Sequence, residues 1–241
     1  MTAPLIARVL VDSPLPQLDR LFDYRVPDAL AADIRTGIRV RVPLRSAGRI
    51  ADAYVIELTD RPADGYTGVL SDMEAIVSTV PVLAPEVAVL ARKAAGRAAG
   101  SAIDIVRVAV PGRQARVEKA WLAAEAHTPL VPVTARPIEG YPAGAIDDAI
   151  ASRSRLAVDA IPLVAQVGRD SWVGHWAVTM AAAAARTVAA GSSAILAVPD
   201  YRDQEQLAAA LGAVLPPARI VRLDAKQSNP DRYRAFLRCL G

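Results

Sequence analysis

Cysteine is almost missing from this chain of 241 residues: Cys239 is the only one. One thiol builds neither a disulfide framework nor a cysteine zinc cluster, and it suits a reducing compartment. The two histidines, His127 and His175, fall in no metal-ligand spacing. No nucleophile–base pair is recognisable either. No catalytic residue, metal or cofactor is therefore expected. Charge of one sign is also scarce. The 28 basic and 25 acidic groups leave a net charge of +3, a weak field that argues neither for nor against nucleic acid. Any such affinity must come from local clustering. Lysine is confined to Lys93, Lys119 and Lys226; the arginine- and alanine-rich usage is read as coding bias. The longest apolar run, residues 177–190, is broken by Arg186 and is too short to span a bilayer. The start of the chain has no basic segment followed by an apolar one, so no secretory signal is expected. These absences predict a soluble cytoplasmic protein, a monomer with no membrane partner.

What is present centres on residues 18–45, LDRLFDYRVPDALAADIRTGIRVRVPLR. Residues 21–26 read as one strand, ended by Pro27, which has no N–H for a ladder. Residues 38–42 read as a second, opened by Gly37 and closed by Pro43. In the second, Ile38, Val40 and Val42 share one face, and Arg39 and Arg41 share the other. In the first, Phe22 and Tyr24 bracket Asp23. Aromatic rings stack on nucleobases, arginine binds phosphate, and a carboxylate accepts from a sugar hydroxyl. That mix suits the end of a nucleic acid. The plainer reading is two core aromatics around a solvated aspartate. Arg35, Arg39, Arg41, Arg45 and Arg49 follow with no acid among them, so they predict either a phosphate-binding face or an ordinary solvated one.

Further strands are expected at 5–11, 50–58 and 69–77, and together they predict a small, mostly antiparallel barrel or sandwich. Helices are expected at 86–99, with Pro85 at the first turn, and at 103–110, stopped by Pro111-Gly112. Residues 113–144 carry Pro129, Pro132, Pro137 and Pro142 and read as an extended linker. A helix is expected at 145–154. From residue 155 the pattern alternates: strands at 156–164, 193–198 and 219–223, and helices at 172–190, 201–211 and 230–240. Gly191 is placed to end the first of these helices and Asp200 to cap the second. Such alternation predicts a parallel sheet covered by helices. Cys239, on the last helix, is expected in the core.

The run Pro16-x-x-x-Arg20-x-Phe22-Asp23-Tyr24-x-Val26-Pro27, followed by Gly37-x-Arg39-Val40-x-Val42-Pro43, resembles the N-terminal domain of the PriA primosomal replication-restart helicases. In that family the domain holds the 3′ end of the nascent leading strand at a stalled fork. The resemblance carries the family's end-binding Phe-Asp pair onto Phe22 and Asp23. Two positions depart from the family pattern. Val42-Pro43-Leu44-Arg45 stands where Val-Pro-Phe-Gly is usual, and Met73-Glu74 stands where a pocket lysine is common. Residues 194–200 and 231–237 resemble a strand and a helix in the first RecA-like lobe of the same helicases. The family's winged-helix module looks shrunken or missing between the two regions. The resemblance thus implies an α+β, barrel-like 3′-DNA-end-binding domain at 1–112 and a linker at 113–155. A partial α/β RecA-like lobe with a parallel sheet follows at 156–241. The chain is expected to be a fragment that stops before the second lobe and the zinc cluster.

A phosphate loop needs a lysine for the outer phosphates and a hydroxyl for magnesium. The family's loop falls on Asp170-Ser-Trp-Val-Gly-His175-Trp176-Ala177, where Trp176 replaces the lysine and Ala177 the hydroxyl. This resembles the actinobacterial branch of the family, which lacks the ATP-binding loop. The expected protein is a DNA-binding restart factor, not an enzyme. It recognises forked DNA with a 3′ end through Phe22, Asp23, Tyr24, Arg39, Arg41 and Arg45. It works near the nucleoid with other primosome or replication proteins. Two alternatives stand beside it: an ATP-dependent 3′–5′ helicase fragment, and a scaffold that binds only primosome proteins.

Overall fold

Alternating apolar residues at 6–11, 39–44 and 49–59 require a sheet with a shared interior, and the computed structural model has one. It describes residues 5–44, 48–63, 68–124, 132–135, 137–169 and 171–240. The chain divides into two compact units, Met1–Glu118 with Ser228–Gly241, and Lys119–Gln227.

In the first unit, β1 (Ile6–Val11), β2 (Leu21–Arg25), β3 (Arg39–Leu44), β4 (Arg49–Thr59) and β5 (Ala75–Ser78) form a sheet in the order β2-β1-β4-β3-β5. All pairings are antiparallel. Residues 71–74 lead into β5 and tie the two edges together. The Arg25 amide donates to the Ser71 carbonyl, the Met73 amide to the Arg25 carbonyl, and the Glu74 amide to the Arg41 carbonyl. This curls the sheet toward a barrel, as the strand spacing predicts, and β5 is correspondingly shorter than expected. Ala7, Val9, Val11, Tyr24, Val26, Val40, Val42, Val55 and Met73 fill the interior. Gly37 opens β3 with φ +82°, and a Cβ there would meet the Leu83 carbonyl oxygen at 2.5 Å. Only glycine fits that approach.

Helices α1 (Pro85–Ala98) and α2 (Ala102–Ala109) follow the sheet. The Asp19 carboxylate fastens them to the segment before β2. It takes a two-point contact from Arg92 at 2.7 and 3.0 Å and accepts from the Ala102 amide at 3.0 Å. The expected linker is helical at its start, where α3 covers Ala115–Ala123. Its apolar and charged residues before the first proline suffice for a short helix.

The last helix, α7 (Asn229–Arg238), was expected beside the later strands; it belongs instead to the first unit. Tyr233 and Leu237 are fully buried there. The Tyr233 hydroxyl donates to Glu118 Oε2 at 2.5 Å, while Arg113 binds Glu118 Oε1 at 2.9 Å. Cys239, at the end of this helix, is exposed rather than in the core.

In the second unit, α4 (Ala145–Ser152) matches expectation, as does α6 (Tyr201–Gly212), capped by Asp200 on the Arg202 and Asp203 amides. Helix α5 (His175–Ala189) lays Ala177, Ala181, Ala184 and Ala185 on one stripe. They bury against a cluster that includes Leu207, Ala210, Leu211 and Leu215. Small side chains along one face let two helices approach closely. The parallel sheet is a correction. Among the described residues this unit holds only an antiparallel hairpin, β6 (Val164–Val167) with β7 (Ser171–Gly174). Trp172 lies in that hairpin, not in the helix. The expected strands at 193–198 and 219–223, and most of 156–164, have no strand pairing, and Ile195 is 97% exposed. An apolar run supplies strand propensity, but a strand also needs a neighbour for its ladder.

Among the described residues no helix is long and apolar enough to cross a membrane.

The buried Glu118 gives the first prediction. Burial disfavours its charge, but hydrogen bonds from Arg113, Tyr233 and Ser78 outweigh that and hold the carboxyl below its ordinary value of 4.5. The same burial and the Glu118 contact push the Tyr233 phenol upward. Because the folded-state pKa of Glu118 is lowered, its stabilisation is complete above pH 4.5 and is lost as pH falls through the folded value. Tyr233→Phe should destabilise the chain by about 1–3 kcal/mol in denaturant titrations. It should also weaken the loss of stability on acidification.

Candidate nucleic-acid interface

A charged side chain in a central strand must find partners on the neighbouring strands. Arg8 is the only charged residue of β1. Register sets it opposite Asp23 of β2 on one side and Glu57 of β4 on the other. Its Nε donates to Asp23 Oδ1 at 3.1 Å, its Nη1 to Glu57 Oε2 at 3.0 Å, and its Nη2 to the Arg61 carbonyl at 3.3 Å. Hydrogen bonding to Glu57 leads the effects that raise the Arg8 pKa further, against the cost of burial. The Ala63 amide donates to Asp23 Oδ2 at 2.6 Å. Asp23 is thus clamped from both sides, with its side chain 9% exposed. It is not the solvated aspartate of the plainer reading.

Phe22, next to it, is half-buried and packs on the barrel core. The Arg20 guanidinium lies 4.8 Å from its ring centre. Tyr24 points inward. It is 5% exposed, and its hydroxyl donates to the Pro43 carbonyl at 3.0 Å. Its ring is part of the core, where the sequence expects a DNA-facing side chain.

The two arginines of β3 part company. Arg41 is open, with its side chain 57% exposed and its Nε 3.2 Å from Asp52 Oδ1. Arg39 was expected beside it on an open face but is buried. Its Nη2 donates to the Pro111 carbonyl at 2.7 Å, and its guanidinium lies over the rings of Tyr54 and Tyr233. Residues far along the chain cover that end of the face, so the expectation that Arg39 lies on an open face is corrected. Arg45 lies outside the described residues. At the two positions that depart from the family pattern, Leu44 and Met73 are buried core residues.

The residues missed in the sequence are Arg8 and Glu57. A lone charge inside the apolar run Ile6–Val11 was the signal available. It could not reveal which strands would flank it.

At the start of α5, where the phosphate loop is expected, the backbone amides have protein partners. The Gly174 amide donates to Gln206 Oε1 at 2.8 Å, and the His175 amide to the Leu163 carbonyl at 2.8 Å. The Trp176 indole lies against Gly174: a Cβ there would meet Trp176 Nε1 at 2.5 Å. Ala177 is fully buried in the helix–helix core. Amides at a helix N-terminus attract phosphate only when they are free to donate. Asp170 lies outside the described residues. Among those described, no group of three or more His, Cys, Asp or Glu could hold a metal ion.

Comparison with known proteins agrees with this geometry. Residues 8–111 match the family model of the PriA 3′DNA-binding domain (3′BD). The probable replication restart protein PriA of Mycobacterium tuberculosis (strain CDC 1551 / Oshkosh) is 36% identical over 227 residues. That alignment covers 94% of this chain and 33% of the relative. The Mycobacterium leprae (strain TN) protein of the same description is 34% identical over 230 residues, covering 94% of this chain and 34% of the relative. The replication restart protein PriA of Bacillus subtilis (strain 168) is 30% identical over 115 residues, 47% of this chain and 14% of that protein. The chain spans about a third of the length of the mycobacterial relatives. A barrel-like sheet with the Phe-Asp pair on its edge strand, matched to the family model, means that residues 8–111 belong to the PriA 3′DNA-binding domain family, within a chain that is similar along nearly its whole length to part of the replication restart protein PriA.

Proposed function

We propose that the chain is a DNA-binding replication-restart factor whose first unit takes the 3′ end of a nascent strand at a fork. The observation that carries this is the family match over residues 8–111, which contains β2 with Phe22 and Asp23. The chemistry is compatible. Each oxygen of an ionised carboxylate has two lone-pair sites, and each oxygen of Asp23 has one protein donor, so a terminal hydroxyl can still donate to it. Phe22, the preceding residue of β2, is half-buried and packs toward the core face, opposite to Asp23. Arg41 is the exposed cation of β3 that suits a backbone phosphate. Other primosome or replication proteins are proposed as partners on the strength of the relatives' names. Residues 156–227 are read as part of a RecA-like lobe, supported by the packing of α5 on α6, while α7 belongs to the first unit.

The same proposal holds that the chain does not hydrolyse ATP. An indole carries no charge for a phosphate, a methyl group binds no magnesium, and the Gly174 and His175 amides have partners. Calorimetric titration with Mg-ATP should give no binding heat at millimolar nucleotide. A micromolar dissociation constant would return the helicase reading.

DNA-end recognition is tested at Asp23. A carboxylate repels phosphate, so 3′-OH forks should bind more tightly than 3′-phosphate forks. Asp23→Ala should cost about ten- to a hundred-fold on 3′-OH forks, the loss of one charge-assisted hydrogen bond, and much less on 3′-phosphate forks. Equal binding of the two ends by the wild type, unmoved by the substitution, would favour the protein scaffold instead. Backbone contact is tested at Arg41: Arg41→Ala should flatten the log–log salt dependence of DNA binding by about one unit. An unchanged slope would mark Arg41 as part of a solvated face.

A further inference from the structure

Asp23 does not stand by itself, and the group that holds it is a candidate for setting what the end site prefers. Arg8 reaches Asp23 Oδ1, Glu57 Oε2 and the Arg61 carbonyl at once. Three acceptors in different directions fix the guanidinium plane, because its donors form a rigid planar fork. The fixed plane then fixes the carboxylate, whose other oxygen is held by the Ala63 amide. A carboxylate pinned at both oxygens cannot turn about its Cβ–Cγ bond. Its remaining lone pairs keep one direction, which is what a single incoming hydroxyl needs. Charge matters as well. Asp23 and Glu57 bring two negative charges to one sheet face, and Arg8 brings one positive charge between them. Without Arg8, that face would meet a polyanion with two uncompensated carboxylates.

We infer that Arg8 is a positioning residue of the DNA-end site: it orients Asp23 toward the terminal 3′-hydroxyl and offsets its charge toward the adjoining phosphates. The inference rests on the end-binding reading above and extends it to a residue of β1 that makes no hydroxyl contact itself. It separates two effects that a lysine can divide. Arg8→Lys keeps the positive charge but loses the planar fork that reaches Asp23 and Glu57 together. Arg8→Gln loses both.

The test compares the 241-residue chain and its variants on forks ending in a 3′-hydroxyl and on the same forks ending in a 3′-deoxy sugar. The two ends carry equal charge and differ in one donor. The wild type should prefer the hydroxyl by about ten-fold. Arg8→Lys should lose most of that preference while keeping its affinity for the deoxy end. Arg8→Gln should lose the preference and also bind the deoxy end more weakly. Thermal melts show whether each variant is folded. A measurement on the wild type alone guards against variants that do not fold: the Arg8 Nε–H resonance should shift on adding a 3′-OH oligonucleotide and stay in place with the 3′-deoxy one. If folded variants keep the wild-type hydroxyl preference, or lose affinity equally for both ends, Arg8 is not a positioning residue, although end binding stands. An Arg8 resonance that responds identically to both oligonucleotides overturns the inference as well. If the wild type itself does not distinguish the two ends, the end-binding reading fails first.

Discussion

A guanidinium in the middle of a central strand is the constraint around which the first unit is arranged. β1 lies between β2 and β4, and Ala7, Val9 and Val11 on one face, with Ile6 and Leu10 on the other, are buried. A charge there is tolerated only if neighbouring strands bring opposite charges within hydrogen-bond reach. Asp23 and Glu57 do so, and the register that delivers them also aligns the rest of the sheet. β4 shifts register between the partners of Arg8 and Val9. Such a bulge bends and twists a strand, which suits a sheet that curls. The start of the loop after β4 is drawn in through the Arg61 carbonyl and the Ala63 amide. One side chain thus couples two strand pairings, a loop and the carboxylate at the candidate end site.

A second buried charge fastens the periphery. Glu118 takes Arg113 on one oxygen and Tyr233 on the other, while Arg39 spans from the Pro111 carbonyl to the Tyr54 and Tyr233 rings. These contacts join β3, the segment after α2, the start of α3, and α7. The folded unit is therefore larger than residues 8–111 of the family match. It draws a helix from near the other end of the chain. A domain completed in this way would feel changes at Tyr233, 122 residues beyond the end of the family match.

The second unit is built around the packing of two helices. A strand runs into α5 through Gly174, and α5 packs on α6 through an alanine stripe. What stands at the helix start is a tryptophan folded over glycine and a glutamine holding its amide.

The sequence by itself determined the local matters. Alternation placed β1 to β4 within a residue or two, Pro27 and Gly37 marked their limits, and Asp200 announced α6. The Phe22-Asp23-Tyr24 run pointed to the edge strand, and the side-chain types of Trp176 and Ala177, an indole and a methyl group, are read directly. These depend on periodicity, backbone geometry and side-chain type, all carried by neighbouring residues. Tertiary structure alone decided which charges meet and which faces are covered. Arg39 and Arg41 look alike on one strand face, but Pro111, 72 residues further on, lies over the first and not the second. Tyr233 finds Glu118 across 115 residues of sequence. The apolar runs at 156–163 and 193–198 look like strands yet have no ladder partner among the described residues. Face and propensity are local properties; burial and pairing depend on what the distant chain brings alongside.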